Sequence, residues 1–226
     1  MKPLKAVKHV QRIGLVPAVT VLTEQLWYRK SFFGLRCDLT ALPPVKPAGM
    51  PVSMSDEDPH RFDGFARELE VSRGNDVIEV LLRADMCAAG IRTLYSTRST
   101  DGLPAYAQWL VRAADQGVVH AQSPGRYRHL DHDEVLLEGA YTFSAFRRLG
   151  LMAHGMGDLL RMARDEGATA AFTYVAVDNV PSLRGCSAVG FDLDHVHVSE
   201  RRLGRRRTVA TPLDDVARAG WERATS

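Results

Sequence analysis

The sequence predicts a mixed α/β layer fold of α+β character, a twisted sheet covered by helices. Three observations carry that expectation. Two helical stretches precede three consecutive strand-like runs, so the sheet does not start as simple β-α-β alternation. Asp101-Gly102 between the first two of those runs is a hairpin turn signal. Beyond Phe143 the texture becomes turn, helix, strand, helix, strand, the pattern of a crossover unit.

Ala18 to Phe33 is predicted as a helix, with Val19, Leu22 and Leu26 on one face, and Leu35 to Leu42 alternates like a strand. Pro43 to Pro59 holds five prolines and reads as a loop or linker. Phe62, Phe65, Ala66 and Leu69 share a helical face, and a second helix, Val77 to Ala88, is stopped by Gly90. The three strands are Arg92–Thr97, Ala105–Val111 and Glu134–Phe143, with a long His-, Arg- and Gly-rich loop over Asp115–Asp133 that is either mobile or part of a site. A turn, Ser144–Gly150, opens a helix that runs to about Glu166 before Gly167. Then come a buried-type strand at Ala170–Val177, a short helix at Val180–Val189 and a strand at Phe191–Val198. Gly204 turns the chain into a last strand near Thr208.

Composition narrows the function classes. At 226 residues, 45% hydrophobic and 25% charged, the chain can bury a sizeable core in one large or two small domains. A net charge of +2 argues against a general polyanion binder. Three cysteines without a C-x-x-C pair argue against a disulfide scaffold and fit a reducing, cytoplasmic setting. Lys2, Lys5, Lys8 and Arg12 before an apolar run from Ile13 to Leu22 imitate a signal peptide, but Pro17 interrupts the run and Glu24 follows it. No membrane span is expected, because no apolar stretch is long enough.

The segment that carries chemistry is Arg147-Arg148-Leu149-Gly150-Leu151-Met152-Ala153, between a strand and a helix start. Unpaired N–H groups and the positive end of the helix dipole meet there, so such a turn can hold a pyrophosphate. Gly150 lets the backbone approach phosphates without a side chain in the way. By itself the pattern is weak, since many strand–turn–helix junctions contain a glycine.

A second segment adds weight. The turn resembles the pyrophosphate loop of the GNAT superfamily of acyl-CoA N-acyltransferases, (Gln/Arg)-x-x-Gly-x-(Gly/Ala), with Arg147 and Gly150 in place and Met152 where a second small residue is usual. A helix of the expected length and a strand follow. Then Asn179-Val-Pro-Ser182-Leu-Arg-Gly-Cys186-Ser-Ala-Val-Gly190-Phe191 is similar to the family's Asn-x-x-Ala-x-x-x-Tyr-x-x-x-Gly-Phe. The resemblance covers Glu134 to about Val198 by motif and residues 35–112 by element order. It implies a single GNAT-like domain over 35–226 with a sheet of about six to seven strands; residues 1–34 match nothing in the family and are read from their apolar spacing as a helical extension.

The resemblance also implies an activity: transfer of an acyl group, acetyl by default, from acetyl-CoA or another acyl-CoA to a primary amine of a small molecule or peptide. The strand entering the loop would splay from its neighbour, leaving backbone groups of Ala140, Tyr141 and Thr142 to pair with the pantetheine. Glu138, on that strand and on the face of Glu134, Leu136, Ala140 and Thr142 by alternation, is the base candidate, against a plain solvated glutamate. Cys186 stands where the family carries a tyrosine acid, against a small core residue. Asn179 and Ser182 are CoA contacts or a helix cap. His129 and His132 are candidate substrate contacts, and His195 with His197 lacks further ligands for a metal, so no metal is expected. Arg201–Arg202 and Arg205–Arg207 read as a solvated turn rather than a nucleic-acid patch. No nucleic acid is expected as partner, and a homodimer is compatible with the reading. Two rivals stay open: a non-catalytic acyl-CoA-binding or interaction protein, and an acyltransferase using a longer acyl-CoA or an acyl-carrier protein.

Overall fold

A computed structural model describes residues 27–202 and 205–226. Its frame is one eight-stranded sheet with strand order β2-β3-β4-β5-β6-β1-β7-β8. In chain order the elements are β1 (Trp27–Asp38), β2 (Val52–Glu57), α1 (Gly64–Val71), α2 (Asn75–Ala88), β3 (Leu94–Ser99), β4 (Pro104–Arg112) and α3 (Gln116–Gln122). They continue with β5 (Glu134–Thr142), α4 (Leu151–Asp165), β6 (Ala170–Ala176), α5 (Val180–Ser187), β7 (Asp192–Arg202), β8 (Arg205–Thr211) and α6 (Asp215–Thr225). All neighbours pair antiparallel except β5 and β6, which run parallel.

The two faces of the sheet have separate cores. One joins Phe33, Leu35, Cys37 and Leu137 to Met156, Leu159 and Leu160 of α4, Leu183 and Cys186 of α5, and Trp221 of α6. The other joins Trp109, Val111, Leu136, Phe172 and Tyr174 to Phe65 of α1, Val80 and Cys87 of α2, and Val119 of α3. β4 is central, and every residue from Ala105 to Val111 is buried. Such a strand has both faces covered, which is why its sequence is apolar at both alternating sets of positions apart from the buried Gln108.

Several expectations are corrected. The helix expected over Ala18–Phe33 is a strand over 27–33, and its remainder lies outside the described residues. The boundary drawn at residue 34 therefore falls inside β1, which fills the slot between β6 and β7. Pairing on both edges and burial of Phe33, Leu35 and Cys37 outweigh the weak helical spacing. The proline-rich loop contains β2, a sheet-edge strand whose half-exposed residues give little periodic signal. The loop over Asp115–Asp133 contains α3. Residues past Thr211 form α6, whose amide at Ala217 is capped by Asp214 at 2.7 Å. Leu203 and Gly204, the expected turn, lie outside the described residues.

One irregularity positions the site. β5 pairs with β4 as Trp109↔Glu138 and then Ala107↔Tyr141, so an extra residue bulges from β5. Gly139 sits there with φ +68°. A side chain at Gly139 would place its Cβ 2.7 Å from the Trp109 ring. That ring is fixed by its Nε1–H donating to Ile91 O (3.0 Å) and by stacking on Phe65 at 5.9 Å. Gly139→Ala therefore combines left-handed strain with a clash, and should cost about 2–4 kcal/mol. A urea midpoint within error of wild type would show that the bulge does not need glycine.

Candidate active site

β5 and β6 pair over only Glu134–Leu136 against Ala170–Phe172, and then diverge. Phe172 onward, β6 is paired on its other edge with β1. The fork leaves one edge of β5 open from residue 137 to Thr142. Phe143 N–H donates to Ala105 O (3.1 Å), which fixes the ladder phase. By alternation the backbone groups of Thr142 point into the fork, whereas those of Tyr141 point to β4. The expectation that Tyr141 offers its backbone to a ligand is thus corrected. Its side chain matters instead: the hydroxyl donates to Glu68 Oε1 (3.1 Å), and burial, with Glu68 beside it, pushes that hydroxyl up to about 12.

The bulge also revises which residues share a face. Ala140 packs toward the α4 core, while Leu136 and Tyr141 face the α1/α2 core. Glu138 therefore does not share its face with Ala140 and Thr142, because one extra residue reverses a period of two. Arg83 of α2 closes the bulge, its Nε donating to Gly139 O (3.0 Å) and Nη2 to Ala140 O (2.8 Å).

At the mouth of the fork the chain leaves β5 through a 3-10 turn, Ser144–Phe146, and enters α4. Arg148 (φ +67°) and Gly150 (φ +70°) both adopt left-handed backbone. A Cβ on Gly150 would meet nothing within 4 Å, so the backbone there faces open space. Among the described residues no side chain caps the first amides of α4. The loop is braced from three sides. Gly49 N–H donates to Leu149 O (2.8 Å), Ser144 N–H to Glu68 Oε1 (2.9 Å), and Arg147 Nη1 to Asp76 Oδ2 (2.8 Å). Arg147 also reaches the Tyr141 hydroxyl at 3.3 Å, so its guanidinium serves as a brace. Arg148 is exposed beside the open amides. A pyrophosphate fits the amides, the dipole and the space at Gly150. Leu151 is buried under Tyr106, and Met152 lies against α5, where a Cβ on Gly185 would stand 3.0 Å from its sulfur. Met152 and Ala153 both pack partly into the α4-side core.

The remaining expected site residues separate. Asn179 caps α5 by accepting from Ser182 N–H at 3.3 Å. Glu138 lies two residues past the last β5–β6 pair, with a side chain only 12% exposed and Arg126 Nη2 at 3.6 Å. His129 stacks on His120 of α3 at 4.4 Å, and His132 is 96% exposed beside Asp133, so the two do not converge on the fork. His195 and His197 flank Tyr174 on the Glu138 face, and His195 holds Asp194 at 2.9 Å.

Cys186 is fully buried in the α4-side core, away from any open surface. Burial first, and then Cys37, pushes its thiol up to about 12; burial likewise pushes Cys37 up to about 11 and Cys87 up to about 12. A thiol in the unfolded chain ionises near ~8.5. Above that pH the unfolded chain releases protons that the folded chain keeps. The stability from these thiols is full below pH ~8.5 and is lost as pH rises toward ~11–12, at up to about 1.4 kcal/mol per pH unit per thiol. Chemical denaturation at about pH 8 and about pH 10 should show the decline, and Cys186→Ala should make it shallower. An unchanged slope in that variant would mean the Cys186 thiol ionises freely in the folded state.

Glu68, Arg83, Asp76 and Arg126 were missed from sequence. Each acts across the fold, and none stands in a motif. Only the placement of Glu68 beside the apolar face of Phe65 and Leu69 hinted at a buried carboxylate.

The fold that carries this forked parallel pair, bulged strand and uncapped helix start is that of solved GNAT-family structures. Among solved structures it resembles a GCN5-related glucosamine N-acetyltransferase region of a fungal multi-domain GH3 beta-N-acetylglucosaminidase (TM-score 0.54, 10% identity, 80% of this chain and 22% of that one). It also resembles a GNAT-family acetyltransferase from Colwellia psychrerythraea (0.51, 10%, 81% and 60%). A third is a GCN5-related N-acetyltransferase from Sphaerobacter thermophilus (0.50, 11%, 88% and 58%). The chain spans at most 60% of the length of these three structures. No protein-family model matches the sequence, and no curated protein does.

Proposed function

We propose that the chain is an acyl-CoA-dependent N-acyltransferase, with acetyl-CoA as the first donor to try. The observation that supports this most is the β5–β6 fork with the uncapped start of α4 at its mouth. The α4 amides, Gly150 and Arg148 would hold the pyrophosphate, and the open edge of β5 at Thr142 would hold the pantetheine. That group supplies an activated acyl carbon joined to a thiolate leaving group. Glu138 then takes one proton from the acceptor ammonium, and the freed amine nitrogen bonds to the acyl carbon as the C–S bond breaks. The second amine proton goes to the departing sulfur, and Glu138 returns its proton to water. Cys186 has no part in this sequence, and holding donor and amine together supplies much of the rate.

A second reading, a non-catalytic acyl-CoA binder, is favoured by Arg126 against Glu138 and Arg83 on the bulge carbonyls. Thiol release from acetyl-CoA across amines, peptides and amino sugars decides between them. Release above the rate without amine supports the enzyme. Tight CoA binding with no release from any acceptor, and none from longer acyl donors, supports the binder.

A further inference from the structure

The turn after α3, closed by Arg126 N–H donating to Ser123 O (3.1 Å), lays Arg126 and Tyr127 on the sheet face that carries Glu138. The centre of the Arg126 guanidinium lies 5.3 Å from the Phe32 ring and 5.2 Å from the Tyr127 ring. Glu138 completes the surround at 3.6 Å, with the Arg126 side chain 27% exposed. Two aromatic faces and a carboxylate around partly desolvated space form a site for a cation. Lys30 Nζ, 6.0 Å from the same Phe32 ring, marks that ring as a cation platform. Burial opposes positive charge on Arg126, and the Glu138 and Glu79 carboxylates favour it. A separation of 3.6 Å is too long for a hydrogen bond, so Arg126 is held by field and ring contact rather than by a bidentate fork. A ligand that reaches Glu138 more closely can displace it.

We propose that the space between Glu138, Phe32 and Tyr127 is the acceptor site, that it selects alkylammonium groups, and that Arg126 holds the place of the amine until the acceptor displaces it. The role of Glu138 in this proposal rests on the acyl-transfer reading, whereas the cation site itself can be measured without it.

The test pairs calorimetric binding of n-butylammonium and n-butanol with thiol release from acetyl-CoA using n-butylamine. Arg126→Ala should tighten n-butylammonium binding and lower its KM about tenfold, by removing the competing cation. Arg126→Lys, which restores a cation but not the planar group that lies against the two rings, should fall between wild type and Arg126→Ala. Phe32→Leu should weaken n-butylammonium about threefold or more without creating affinity for n-butanol. If Arg126→Ala weakens the amine or leaves it unchanged, Arg126 is a brace for Glu138 and the proposal is overturned. Should Arg126→Ala fail to fold, Phe32→Leu decides alone, and unaltered amine affinity overturns the proposal. Tightened binding without thiol release in any variant keeps the cation site and removes the acyltransferase. Thiol release confined to neutral or anionic acceptors does the reverse.

Discussion

Glu138→Gln should lower kcat about 100-fold or more at neutral pH while leaving CoA affinity unchanged, since general-base catalysis contributes about 10²–10⁴. The carboxylate stands at the fork, two residues beyond the last β5–β6 pair, and glutamine keeps its shape but cannot accept a proton. The substitution also releases Arg126, so the same drop should appear in an Arg126→Ala background, where that partner is gone. Steady-state thiol release, with CoA binding followed by calorimetry, separates the two effects. Equal turnover in wild type and variant across pH would retire Glu138 as the base.

The second large effect is on the donor. Gly150→Asp should weaken CoA about 100-fold, because charged hydrogen bonds worth about 1.5–3 kcal/mol each are lost to an internal competitor. The new carboxylate would enter open space at the start of α4, beside amides that no side chain of the described residues caps. Asp tolerates left-handed backbone better than most residues and is stabilising at a helix start, so melting should change little. Pantetheine, which lacks the pyrophosphate, serves as the control and should bind both proteins alike. If CoA binds both proteins equally, the phosphates sit elsewhere.

How far the site could be read from sequence depended on distance along the chain. The turn from Arg147 to Ala153 and helix α4 were legible because a glycine, a dipole and a 3.6-residue period are local properties. The Asn179 cap was legible for the same reason. The face of Glu138 relative to Ala140 was misread. A bulge depends on how β5 meets β4, and the lone signal, Gly139, is shared by many strands. Cys186 looked like a candidate acid because its position matched a motif, but burial decided its chemistry.

The sequence by itself determined the mixed layer class, the order of most elements from α1 to β7 and the turn that opens α4, since apolar periods and turn residues act within a few positions of each other. Only the tertiary structure decided that β1 lies between β6 and β7, that α6 covers the same face as α4 and α5, and that Arg126 meets Glu138. Strand slots and ion pairs of this kind are settled by which surfaces bury each other. Phe33, Leu35 and Cys37 carry a period of two that suits any sheet, and the two-sided pairing with β6 and β7 is what selects their place.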